Sequence, residues 1–118
     1  MIIAATYDME SGNVFQHFGR TQNFKLYTVE DGKIVSSRII DNGGFGHHDL
    51  ATYLKSLGVS TLILGNRGQG AIDALKNAGI REIPGITGNA DKSVEALLAG
   101  MLIFNPNAIC SHQHHHHN

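Results

Sequence analysis

The sequence predicts an α/β domain with a five-stranded mixed sheet between helices. Two observations carry this. From Leu50 onward, helical and strand patterns alternate, which requires parallel strands joined by right-handed crossovers. Before Leu50 the chain is β-rich, with Asp31-Gly32 as a hairpin turn between two strand-like segments, so part of the sheet is antiparallel.

Each element follows from its residues. Ile2 to Thr6 is apolar and β-branched, as a buried strand should be. Asp8 to Asn13 is polar and contains glycine, hence a loop. Phe24 to Val29 is a strand with Phe24, Leu26 and Thr28 on one face, and Lys33 to Ile40 returns beside it. Leu50, Tyr53, Leu54 and Leu57 recur at helical spacing, and Gly58 closes that helix. Thr61 to Leu64 is continuously apolar, as expected of a central strand covered on both faces. Ala71, Ile72, Leu75 and Ala78 mark a second helix stopped by Gly79. Ile80 to Ile83 is the next strand. Asn89 is a good N-cap for a third helix, whose apolar face is Val94, Leu97 and Leu98 and which Gly100 ends. The run Met101 to Phe104 is a further candidate strand. Residues 1–105 form one domain, and the tail 106–118 lacks periodicity and is expected to be mobile.

Composition narrows the function. A chain of 118 residues can bury one real core, and its net charge of −1 leaves no basic footprint for nucleic acid. No apolar run approaches the roughly 20 residues of a membrane span. The N-terminus lacks the charged start of a signal peptide, and Cys110 is the sole cysteine, so a cytoplasmic protein without an intrachain disulfide is expected.

Four stretches could carry chemistry. In Gly43-Gly44-Phe45-Gly46-His47-His48, glycines and two imidazoles precede a helix, whose N-terminus offers free N–H groups. The same stretch also reads as a turn and a capped helix with solvent-facing histidines. Gly65-Asn66-Arg67-Gly68-Gln69-Gly70 follows the central strand and opens a helix, where ligands bind in open α/β sheets. Its spacing is neither the dinucleotide fingerprint nor a P-loop, and a tight strand-to-helix connection is its plain alternative. His17 and Arg20 sit in a loop between strands, as a ligand and a cation or as ordinary surface groups. Cys110-Ser111-His112 and the four histidines after Gln113 suit iron, zinc, copper or nickel. Their layout is not the usual purification tag, so they read as a native tail. The carboxylates do not converge on catalysis. Asp8 could end the first strand, but Leu64-Gly65-Asn66 stands where a metal-dependent nuclease needs a partner acid.

The ordered set resembles the dinitrogenase iron–molybdenum cofactor biosynthesis family of small molybdenum–iron cluster-binding proteins. The matching pieces are His17-Phe18-Gly19-Arg20 with Phe24, and Gly44-Phe45-Gly46-His47 leading into Leu50-Ala51-Thr52-Tyr53-Leu54. They continue through Leu57-Gly58-Val59, Gly65 to Ala71, Ala78-Gly79-Ile80, Gly85 to Ala90 and Cys110-Ser111-His112. The resemblance implies a ribonuclease-H-like α/β/α fold without enzymatic activity. It implies binding or carriage of an iron–sulfur or iron–molybdenum cluster, or its precursor, between donor and acceptor proteins. It places metal ligands at His17 and at His47 or His48, and gives Arg20, Arg67 and the glycine loops the cluster's negative charge. Similar sequences often carry a cysteine where this chain has Leu64, so an all-thiolate site cannot be built from one copy. Imidazoles, backbone dipoles, Cys110 with His112, or a homodimer would have to serve. Two rival readings are a nickel, zinc or iron site in the tail with the domain as scaffold, and a small phosphate- or nucleotide-binding hydrolase using the loop after Leu64.

Overall fold

The computed structural model describes residues 1–102, apart from the side chains of His47 and His48. Among these residues lie strands β1 (Ile2–Tyr7), β2 (Asn23–Glu30), β3 (Lys33–Asp41), β4 (Val59–Ile63) and β5 (Arg81–Ile83). The helices are α1 (His47–Ser56), α2 (Gln69–Asn77) and α3 (Ala90–Leu98), with one 3-10 turn at Phe18–Arg20. The sheet order is β3-β2-β1-β4-β5. β2 runs antiparallel to both β1 and β3, whereas β1, β4 and β5 run parallel. This is the ribonuclease-H-like three-layer α/β/α architecture with a mixed sheet.

Strand periodicity divides the core in two. Along β1, Ala4 faces one side while Ile3 and Ala5 face the other. On the first side, Phe24, Leu26 and Leu62 pack under Leu50 and Leu54 of α1 and Ala71 and Leu75 of α2. On the second side, Tyr27, Val29, Ile63 and Ile83 pack under Ala90 and Val94 of α3. Because β1 and β4 are covered on both faces, the runs Ile2 to Ala5 and Leu62 to Leu64 are apolar without alternation. Each fully buried large apolar side chain contributes about 1.5–3 kcal/mol.

Helix boundaries follow from capping. The Asn89 side chain accepts a hydrogen bond from the Lys92 amide at 2.9 Å. Gly100 (φ +73°) ends α3, with its amide donating to the Leu97 carbonyl and the Met101 amide donating to that of Ala96. That Schellman pattern ties Met101 to the helix end. Met101 and Leu102 therefore do not enter a strand, contrary to expectation, while Ile103 and Phe104 lie outside the described residues.

One polar cluster anchors α3 to the sheet. Asp91, in the first turn, accepts from Lys25 Nζ at 2.8 Å and from the Tyr27 hydroxyl at 2.6 Å. The hydrogen bonds from Lys25 and Tyr27 hold the Asp91 carboxyl below its usual value. Burial, and then the Asp91 hydrogen bond, push the Tyr27 phenol well above its own.

Candidate functional site

The topology fixes where ligands can sit. β1, β3, β4 and β5 all point the same way, so the loops after them meet at one end of the sheet. The N-termini of α1, α2 and α3 start from those loops. Each turns the positive end of its dipole to the same rim; α1 and α2 start without a side-chain cap, whereas the first turn of α3 is capped by Asn89 and by Gly12 O.

Backbone hydrogen bonds lace the loops together. The Asn66 amide donates to the Gln16 carbonyl at 2.7 Å, and the Phe18 amide donates to the Asn66 carbonyl at 3.1 Å. His17 and Asn66 thus form an isolated parallel bridge. The Gly85 amide donates to Gly65 O at 3.0 Å, and the Val14 amide to Gly88 O at 2.8 Å. The Gln16 side chain adds a donation to Ile86 O at 3.0 Å. Gly65 is required here, since a Cβ would lie 2.7 Å from Gln16 Cα.

The rim holds a groove of three adjoining hollows. His17 is exposed and lines the first, of about 410 Å³, with Asp8, Ser11, Asn13 and Thr87. The Phe15 ring stands edge-on to the His17 imidazole, 6.4 Å between centroids. Asp8 and Phe15 are shared with the second hollow, of about 390 Å³, where Arg20 lies. Gln22 and Asn23 continue into the third, of about 560 Å³, bounded by Gly43 and Gly44. The Asn42 side chain donates to Thr21 O at 3.1 Å, which fixes the glycine loop against the 3-10 turn.

The structure thus brings together His17, Arg20, Gly43, Gly44, Gly65 and Asn66. Gly46 and Gly68 are the N-caps of α1 and α2, and Gly70 lies in the first turn of α2. His47 and His48 open α1, at the same end. Arg67 departs from expectation. It is 4% exposed, and its Nε donates to Glu82 Oε1 at 2.5 Å, so part of its charge is committed to a carboxylate on β5. Cys110 and His112 lie outside the described residues. Among the described residues no three His, Cys, Asp or Glu side chains converge as a metal-ion site. Ser11, Asn13, Gln22 and Thr87 were not singled out from sequence. The polar, glycine-bearing runs Asp8–Asn13 and Gly85–Asn89 were the available signal.

The donor set suits a bulky inorganic guest better than a bare cation. One exposed imidazole can bind a metal atom, while helix-terminal amides and Arg20 favour sulfide or oxide edges. The carboxylates of Asp8, Glu10 and Asp41 along the groove offset that positive field.

Comparison with known proteins agrees with this geometry. A family model described as "dinitrogenase iron-molybdenum cofactor" matches residues 1–100. An uncharacterised protein of Methanocaldococcus jannaschii is 30% identical over 99 residues, spanning 80% of this chain and 84% of its own. The orange protein of Desulfovibrio gigas, solved in its apo form, superposes with a TM-score of 0.75 at 25% identity, covering 89% of this chain and 92% of that one. A NifB candidate from Thermotoga gives 0.68 at 27% identity, covering 87% and 91%. No helix among the described residues is long and apolar enough to cross a membrane.

Proposed function

The chain belongs to the dinitrogenase iron–molybdenum cofactor family, and on that premise we propose that it is a non-enzymatic carrier. Its cargo is an iron–sulfur or iron–molybdenum cluster, or a precursor, received from a donor protein and passed to an acceptor. His17 is the metal ligand at the head of the groove, with His47 or His48 as the second. Arg20 and the amides at the N-termini of α1 and α2 hold the cargo's sulfide or oxide edges, whereas the Gly43 and Gly44 amides are engaged by the side chains of Asp41 and Asn42 and only shape the wall.

The observation that carries this reading is the sparse donor set at a wide groove. Resident clusters are held by several thiolates. Here a single described imidazole lies beside adjoining hollows lined by hydroxyls, side-chain amides and a few carboxylates. A guest held by few metal–protein bonds and many weaker contacts can be released intact.

The test is anaerobic reconstitution with iron, sulfide and molybdate, read by absorption and metal analysis. Stoichiometric uptake that survives deletion of residues 103–118 and is lost in His17→Ala supports the proposal. Uptake that vanishes with the tail assigns metal handling to Cys110 and His112 instead, and no uptake by the full chain, or uptake indifferent to His17→Ala, overturns the carrier.

A further inference from the structure

An exposed aromatic pair stands between the end of β3 and α1. The Phe45 and Tyr53 ring centroids lie 4.9 Å apart, with the planes tilted by 35°. Tyr53 is half-buried, whereas Phe45 is 43% exposed. Both rings rest on bare main chain. A Cβ on Gly43 would fall 2.9 Å from the Phe45 ring and 3.1 Å from Tyr53 Cζ. Hydrogen bonds pin the loop that presents Phe45. The Gly43 amide donates to the Asp41 carboxylate at 2.8 Å, and the Gly44 amide to Asn42 Oδ1 at 2.9 Å. The Phe45 amide donates to the Asn42 carbonyl, and Asn42 Nδ2 to the Thr21 carbonyl, both at 3.1 Å. An exposed ring held this firmly loses little freedom when a partner seats on it.

Each element beside the rings also carries a carboxylate. Asp41 ends β3, and its carbonyl accepts from the Tyr53 hydroxyl at 3.5 Å. Asp49 precedes Tyr53 by four residues on α1, so the two share a helix face. Both carboxylates are exposed, and among the described residues neither forms an ion pair. Arg38, three residues before Asp41 on β3, forms no ion pair or ring contact among the described residues either, so it does not fill the patch. An aromatic face beside a free carboxylate suits a guanidinium, which stacks flat on the ring and bonds the carboxylate through its edge. A lysine ammonium has neither the plane nor the fork. We propose that this patch docks an arginine side chain of a partner protein, stacked on Phe45 and paired with Asp49, with the Asp41 charge adding to the attraction. Gly43 and Gly44 border the third hollow, so a partner seated here lies against the groove. The docking chemistry holds whatever the groove carries.

Titration of the isotope-labelled full chain with a blocked Arg-Gly-Arg peptide, read by amide chemical shifts, tests it, with blocked Lys-Gly-Lys as the control. The shifts should centre on the amides of Gly43, Gly44, Phe45 and Asp49. The arginine peptide should bind at least about threefold more tightly than the lysine peptide, and Phe45→Ser and Asp49→Asn should each weaken it by about that factor. Both positions are exposed or on the helix surface, and circular dichroism confirms the fold of each variant. Equal affinity for the two peptides, shifts centred on carboxylates elsewhere, indifference to either substitution, or no shift at all overturns the proposal. Cluster uptake is not the readout, so failure here leaves the carrier reading standing.

Discussion

Gln16 and Gly65 meet main chain against main chain, with Gln16 Cα standing 2.7 Å from where a Cβ on Gly65 would be. Gly65→Ala must therefore push the loop after β1 away from the loop after β4. Overpacking of this kind costs about 1–3 kcal/mol, so thermal melting should fall by several degrees. Gly68→Ala, whose Cβ would meet nothing within 4 Å, should be milder, losing only the preference for glycine at a helix N-cap. Equal losses in the two variants would contradict the close contact.

Arg67 and Glu82 should behave as one unit. Arg67→Met leaves the Glu82 carboxylate, with its side chain 19% exposed, without its charge partner. Removing one partner of a buried pair costs about 3 kcal/mol, while replacing both with apolar groups is often near neutral. Arg67→Met with Glu82→Leu should thus recover much of the loss in urea denaturation. Arg20→Ala, at an exposed position, should leave stability within about 0.5 kcal/mol and instead lower cluster uptake.

Acid should loosen α3. The folded Asp91 carboxyl titrates below its ordinary value of 3.8, because of the hydrogen bonds from Lys25 and Tyr27. Its contribution is present above the unfolded value and is lost as pH falls through the folded one. The difference in melting temperature between the native chain and Asp91→Asn should shrink steadily below about pH 4. At the alkaline end, the raised Tyr27 phenol stabilises the fold below the unfolded value of 10.0, and that contribution falls as pH rises above it. A gap between the two chains that stays constant with pH would remove Asp91 from the account.

Asn89 caps α3 through its side chain. Asn89→Ala should cost about 1 kcal/mol, and Asn89→Ser should restore most of it, as read by chemical denaturation.

Local chemistry made most of the fold readable. The Asn89 cap, the hairpin at Asp31-Gly32 and the helix-ending Gly58, Gly79 and Gly100 all depend on near neighbours in sequence, and each stands where it was expected. The ion pair of Arg67 with Glu82 was not legible, because Glu82 lies 15 residues on, on β5, and pairing register is invisible in a single chain. Ser11 and Thr87 were missed for a similar reason. Their loops, over 70 residues apart in sequence, meet through backbone hydrogen bonds from Val14 to Gly88 and from Ala90 to Gly12. Met101 was misjudged because an apolar side chain gives no sign that its own amide will close the preceding helix.

The direction of α3 has a practical consequence. The helix begins beside Asn13 at the groove and ends where Leu98 and Ala99 border the β2–β3 hairpin, at the far pole of the molecule. A dye, surface linker or fused reporter joined just after Leu102 would set out from the side turned away from the groove. Binding of the proposed cargo could then be followed on an immobilised or labelled protein without the attachment blocking the groove.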